Sequence, residues 1–138
     1  MSIIDLAERF FQEPGNEIFC GSPARDGEIR RAEASLGVRF DPDYVRFITA
    51  FGGLYVGVSI YGFHNSTMLE ALDVASLTKR YRDDGWPGSE DSYVISFDMS
   101  GNPIMIGEDA HVFTYDHDSG GYRELAESFS AFVAGALR

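Results

Sequence analysis

Between Tyr93 and Asp116 three short segments rich in aliphatic and aromatic residues follow one another: about Tyr93–Asp98, Pro103–Ile106 and His111–Asp116. The gaps between them, Ser100-Gly101-Asn102 and Gly107-Glu108-Asp109, are turn-forming and only a few residues long. Parallel strands need a crossover of about a dozen residues or more, so strands this close must pair antiparallel as a meander. Asp118-Ser119-Gly120-Gly121 is a further turn, after which Tyr122-Arg123-Glu124 add a few strand-like residues.

What precedes the meander reads mostly as helix. Ile3, Leu6 and Phe10 form a stripe over Ile3 to about Glu13, stopped by Pro14-Gly15-Asn16. Asp26 is placed to cap a second helix, to Leu36, with Ile29, Ala32 and Leu36 facing the core and Gly37 ending it in the left-handed conformation. Asp41-Pro42 is the clearest helix start, and Tyr44, Phe47, Ile48 and Phe51 follow at helical spacing before Gly52-Gly53. Leu54 to Phe63 alternates as a strand, and Thr67-Met68-Leu69-Glu70 has the capping-box pattern of a helix running to about Arg82. A last helix is expected from about Ala126 to Leu137. With no repeat or linker in its 138 residues, the chain reads as one domain over 1–138. The expected class is α+β: a mostly antiparallel sheet with segregated helices packed on one face.

Charge narrows the function. The chain carries 22 Asp and Glu against 11 Lys and Arg, a net charge of −11, which disfavours nucleic acid and anionic membrane as partners. From Asp83 to Asp118 there are nine acidic residues and no Lys or Arg, whereas between Arg25 and Arg46 five basic residues offset five acidic ones. A one-signed surface speeds encounter with an oppositely charged partner. Asp5 and Glu8 interrupt the apolar N-terminal residues and no run is long enough to cross a bilayer, so a cytoplasmic protein is expected.

Catalytic signatures are missing: no phosphate-binding or dinucleotide-binding glycine loop, no H-E-x-x-H and no nucleophile elbow. Asp116-His117-Asp118 is the best chemical candidate for a metal or shared proton, but neighbours in a strand point to opposite faces, so it reads as a solvated strand end. Glu108-Asp109 reads likewise as a turn. The single cysteine, Cys20, has apolar and small neighbours and reads as a buried small hydrophobe. Glu33 lies beside an apolar helix face and reads as a carboxylate tying that helix to the backbone of a nearby loop. Trp86 in its acidic Gly/Pro loop is either an exposed interface residue or a loop anchor.

These pieces in their order resemble the SUKH superfamily, which holds fungal cell-wall-synthesis regulators and bacterial immunity proteins. The resemblance runs through Glu33 with Leu36-Gly37, Phe40-Asp41-Pro42-Asp43-Tyr44 with Phe47 and Gly52-Gly53, Asp98 with Gly101, and Val112-Phe113 through His117. It closes on Leu125-Ala126-Glu127-Ser128-Phe129-Ser130-Ala131-Phe132, and spans roughly Ile29 to Val133. Asp41 stands where the family usually has proline, and Ser96 where glycine is common.

The resemblance implies a non-enzymatic binder without a cofactor or metal, similar to antidotes that occupy a toxin, often a nuclease. Nuclease clefts are basic, so the acidic stretch is the expected partner-binding face: Asp83, Asp84, Trp86, Glu90, Asp91, Glu108, Asp109, Asp116 and Asp118. The alternatives are a regulatory scaffold of the cell-wall-regulator type, and a small enzyme or metal binder built on Asp116, His117 and Asp118.

Overall fold

Proline at the first helical position and an aspartate before it produce the expected cap: Asp41 accepts from the backbone N–H of Asp43 (3.1 Å) and Tyr44 (3.2 Å). The computed structural model describes residues 2–137. Its elements are α1 (Ile3–Gln12), a 3₁₀ turn (Glu17–Phe19), α2 (Asp26–Leu36), α3 (Pro42–Phe51), β1 (Leu54–Tyr55), β2 (Ser59–Ile60) and α4 (Val74–Asp83). They continue as β3 (Tyr93–Phe97), β4 (Pro103–Ile106), β5 (Val112–Asp116), β6 (Gly121–Ala126) and α5 (Phe129–Ala136).

The meander forms as its spacing dictates, a four-stranded antiparallel sheet in the order β3-β4-β5-β6. Tyr93 lies opposite Ile106, Ile106 opposite Val112, and Asp116 opposite Gly121. A bulge between Val94 and Ser96 shifts the β3–β4 register. The hairpin β1–β2 meets the outer side of β3, where Tyr61 N–H donates to the Ile95 carbonyl (2.7 Å).

Helices cover both faces of the sheet, not one. Tyr93, Ile95, Ile104, Ile106 and Val112 share a core with α2, α3 and α5. Tyr44 and Phe47 of α3 meet Phe129 of α5 edge-on, at 5.5 and 5.4 Å between ring centres; such pairs add about 1 kcal/mol each beyond area burial. Val94 and Met105 face the other way, against Leu77 and Tyr81 of α4. Thr78 fixes that side: its hydroxyl donates to the Val74 carbonyl and accepts from Val94 N–H (2.9 Å) beside the bulge.

Four further expectations need correction. Leu54 to Phe63 is not one strand: the chain reverses at Gly57, with φ +86°, and Val56 N–H donates to the Val58 carbonyl. Thr67 does not open a helix. Residues 66–72 form irregular turns, and α4 starts at Val74 with Asp73 accepting from Ser76 N–H (2.8 Å). Asp26 does not cap α2; Arg25 is the N-cap, and the Glu28 carboxylate accepts its backbone N–H (3.0 Å). Leu125 and Ala126 belong to β6, and Ser128 caps α5 by accepting from Ala131 N–H. No helix among the described residues is long and apolar enough to cross a membrane.

Candidate protein-binding site

The acidic stretch begins where α4 ends. Arg82, in the last turn, turns inward and donates to three backbone carbonyls: Leu36 (2.8 Å), Ser89 (2.7 Å) and Ser92 (3.0 Å). The loop that follows is pinned as well. Ser89 hydroxyl donates to the Trp86 carbonyl, and Ser92 hydroxyl to that of Gly88. Trp86 is a half-buried anchor, edge-on to Tyr81 and His117 at 5.5 Å from each. Asp83 at the end of α4 and Asp84, Glu90 and Asp91 on this fixed loop are left exposed.

Strand register divides the remaining carboxylates between two ends of the sheet. Glu108 and Asp109, in the β4–β5 turn, lie at the end where β3 begins, near Asp91. Asp91, Glu108 and Arg39 all line one cleft of about 260 Å³. Asp98, Asp116 and Asp118 lie at the opposite end. The nine carboxylates of the sequence stretch therefore do not form a single cluster.

At that opposite end the side chains serve the turns. Asp98 accepts from the backbone N–H of Ser100 and Asn102 (2.9 Å each), and its other oxygen accepts from the Asn102 amide. Asn102 in turn accepts from His117 N–H (3.1 Å), joining the β3–β4 and β5–β6 turns. Asp116 accepts from Asp118 N–H (2.9 Å), and this donation holds its carboxyl below the usual carboxylate range. His117 Nε2 lies 3.3 Å from Asp118 Oδ1, but the ring also faces Asn102 and Trp86 and Asp116 is engaged by the Asp118 N–H, so the three side chains do not gather around one point. Among the described residues no group of three or more His, Cys, Asp or Glu is placed to hold a metal ion.

His111 sits at the cleft end. The Glu124 carboxylate hydrogen-bonds its Nδ1, with Asp109 3.9 Å away. This bond, reinforced by the charges of Glu124, Asp109 and Glu127, raises the imidazole above its ordinary 6.5. The ion pair stabilises the fold fully below that ordinary value and fades as pH rises through the raised one. Thermal unfolding of His111→Gln should therefore fall furthest below the wild type on the acid side of the ordinary 6.5, with the gap narrowing as pH rises past it.

A family model described as SUKH_5, SMI1-KNR4 cell-wall, matches residues 5–137. The chain belongs to the SMI1-KNR4 cell-wall family. No curated protein matches it. In this SMI1-KNR4 member the residues that carried the resemblance are structural. Glu33 accepts from the backbone N–H of Phe40 (2.7 Å) and closes the α2–α3 loop, as its position beside the apolar face indicates. Gly37 is left-handed at φ +68°, ψ +33°. Buried Ser96 has the one buried side-chain oxygen or nitrogen without a hydrogen-bond partner among the described residues. Cys20 is half-buried, and burial pushes its thiol up.

Two features escape sequence reasoning. His64 and Glu28 pair at 2.9 Å beside a cavity of about 560 Å³, with His64 at φ +52°, in the left-handed region. Burial raises the Glu28 carboxyl, but Arg25 N–H and His64 outweigh it, so it lies below its ordinary value. The second feature is a group of exposed apolar side chains drawn from distant segments. Nothing in their local sequence distinguishes them from core residues.

Proposed function

We propose that the chain is a non-catalytic protein-binding domain of the immunity type, which occupies a basic partner, a toxin of the nuclease class, through an acidic surface. The observation that supports this is that Asp91 and Glu108 line one cleft, with Arg39 lining it too, beside Glu90 and Asp109 on a loop and a turn that themselves carry no Lys or Arg. Asp83 and Asp84 extend the acidic surface from the end of α4, and Trp86 holds the loop in place. Asp116 and Asp118 form a smaller acidic group at the other end of the sheet. A nuclease lines its cleft with Lys and Arg for phosphate, and a rigid acidic surface competes for that cleft. Membership of a family that resembles immunity and regulatory proteins agrees with a binding role.

The test uses the partner captured from the native host and identified by mass spectrometry. Asp83→Lys, Asp84→Lys, Glu90→Lys or Asp91→Lys slows association roughly threefold to tenfold, more at low salt than at high. Asp5→Lys on α1 serves as a control and leaves the rate unchanged. Equal association rates across the whole set remove this face from the interface.

The cell-wall description of the matching family favours a second reading, a cytoplasmic regulatory scaffold of cell-wall synthesis whose partner need not be basic. Binding with little salt dependence supports the scaffold. A toxin gene directly upstream supports the inhibitor.

A further inference from the structure

Between the two acidic ends of the sheet lies a band of aromatic side chains. Tyr115 stands opposite Tyr122 and Phe113 opposite Glu124 in the β5–β6 register, so these four side chains share one face. Ring centres of Tyr122 lie 5.2 Å from Tyr115 and 6.0 Å from Phe113. Trp86 continues the band at 6.3 Å from Tyr115, and His117 ends it. The acidic loop rests directly on these rings. A Cβ on Gly88 would stand 2.9 Å from Tyr122 Cε1 and 3.3 Å from Phe113 Cε2. On this face α4 covers Val94 and Met105, yet Tyr122 stays 61 % exposed. Because Ser89, Ser92 and Arg82 pin the loop, the band is fixed before any partner arrives, and little freedom remains to be lost on binding.

Contacts place carboxylates along the band. Glu124 stands two residues along β6 from Tyr122, and its bond to His111 fixes it there. Asp109 Oδ1 and the Phe113 ring come to one point, 3.0 and 3.2 Å from where a Cβ on Gly107 would stand. Asp118 Oδ1 lies 3.3 Å from His117 Nε2, at the Trp86 end. Of the cations on adjoining elements, Arg82 turns inward, Arg80 pairs with Glu70, and Arg39 lines the cleft with Asp91 and Glu108. Arg123 lies opposite buried Thr114, on the other face of β6, while Lys79 remains exposed on α4.

Scale joins the two acidic groups. The five residues of β5 span about 17 Å, whereas a standard interface covers about 800 Å² per partner, a patch roughly 30 Å across. One interface centred on Tyr122 therefore reaches both ends of the sheet. We propose that Tyr122 anchors this interface by receiving an arginine of the basic partner, the guanidinium stacked over the exposed ring and hydrogen-bonded to Glu124. The assignment rests on the inhibitor reading for the sign of the partner's charge and adds the residue that the partner contacts. A tyrosine ring attracts a cation over its face, and a planar guanidinium stacks there while also pairing with a carboxylate. Two copies meeting on this face would set chains of net charge −11 against each other, which disfavours a second copy as occupant.

The experiment titrates the isotopically labelled full chain with a short synthetic peptide of alternating Arg and Ser, followed by backbone NMR, beside the same peptide with Lys for Arg. The expected shifts centre on Gly88, Phe113, Tyr115, Tyr122 and Glu124, and the Lys peptide binds roughly threefold to fivefold more weakly. Tyr122→Leu weakens the Arg peptide by a similar factor. Tyr122→Phe retains binding, because the ring and not the hydroxyl receives the cation. Both variants keep the wild-type unfolding temperature, since the side chain is more than half exposed. Equal affinity of the wild type and Tyr122→Leu overturns the proposal, as do shifts that miss β6 or no binding at millimolar peptide. A dimer of the free chain that Tyr122→Leu disperses also overturns it, because the occupant is then a second copy. If Glu90→Lys and Asp91→Lys weaken both peptides while Tyr122→Leu is neutral, the acidic-surface reading survives and the tyrosine contact does not. If Tyr122→Leu alone weakens binding, the contact survives and the acidic-surface reading fails.

Discussion

Arg82→Ala lowers the thermal unfolding midpoint by about 10 °C or more, a loss of roughly 3–5 kcal/mol measured by calorimetry or denaturant titration. The size follows from geometry. One guanidinium satisfies the carbonyls of Leu36, Ser89 and Ser92, all on buried residues. Removing it leaves carbonyls that water reaches poorly, and each such orphan costs about 1–3 kcal/mol. Arg82→Lys recovers only part of the loss, because an ammonium lacks the planar fork that reaches three acceptors in different directions. The same variant loosens the Asp84–Asp91 loop, so an acidic-face partner then dissociates faster as well.

Gly53→Ala is expected to destabilise by about 3 kcal/mol or more, although it adds one methyl group. A Cβ on Gly53 would stand 1.8 Å from Asn65 Oδ1 and 2.4 Å from its Cγ, so the amide must leave. Asn65 accepts from Gly62 N–H (3.1 Å) and donates to the carbonyls of Glu70 (3.3 Å) and Leu72 (2.7 Å), which organises the whole 62–72 loop. A double-mutant cycle checks the mechanism. Once Gly53→Ala is present, Asn65→Ala adds little further loss, whereas alone it costs about 2 kcal/mol. Full additivity of the two substitutions shows that the clash lies elsewhere.

Local signals account for what the sequence makes legible. Asp41-Pro42, Gly37 and the closely spaced turns of the meander each act within a few residues, and each produces the expected element. The same locality explains the misreadings. Alternation over Leu54–Phe63 cannot reveal that Gly57 adopts φ +86° and reverses the chain. The Thr67-x-x-Glu70 pattern does not start a helix, because Asn65 takes the Glu70 and Leu72 carbonyls and Glu70 itself pairs with Arg80. Arg82 has the position of an ordinary solvated last-turn cation, and its inward turn depends on α2 and on residues after Trp86.

At the candidate site, charge was legible and arrangement was not. The acidic run is evident in the sequence, but strand direction sends Asp116 and Asp118 to one end of the sheet and Glu108 and Asp109 to the other. Trp86 could be exposed or tucked in until Tyr81 and His117 fix it edge-on. The exposure of Tyr122 has no sequence signature at all, since it is decided by what other segments leave uncovered.

Helices α1 and α5 lie against each other, Ser2 and Ile3 lining the same shallow groove as Ser130 and Ala134. The polypeptide thus enters and leaves the globule at neighbouring points. A unit with that geometry can be spliced into a surface loop of a larger protein, or strung in tandem with others, without rethreading any of its strands.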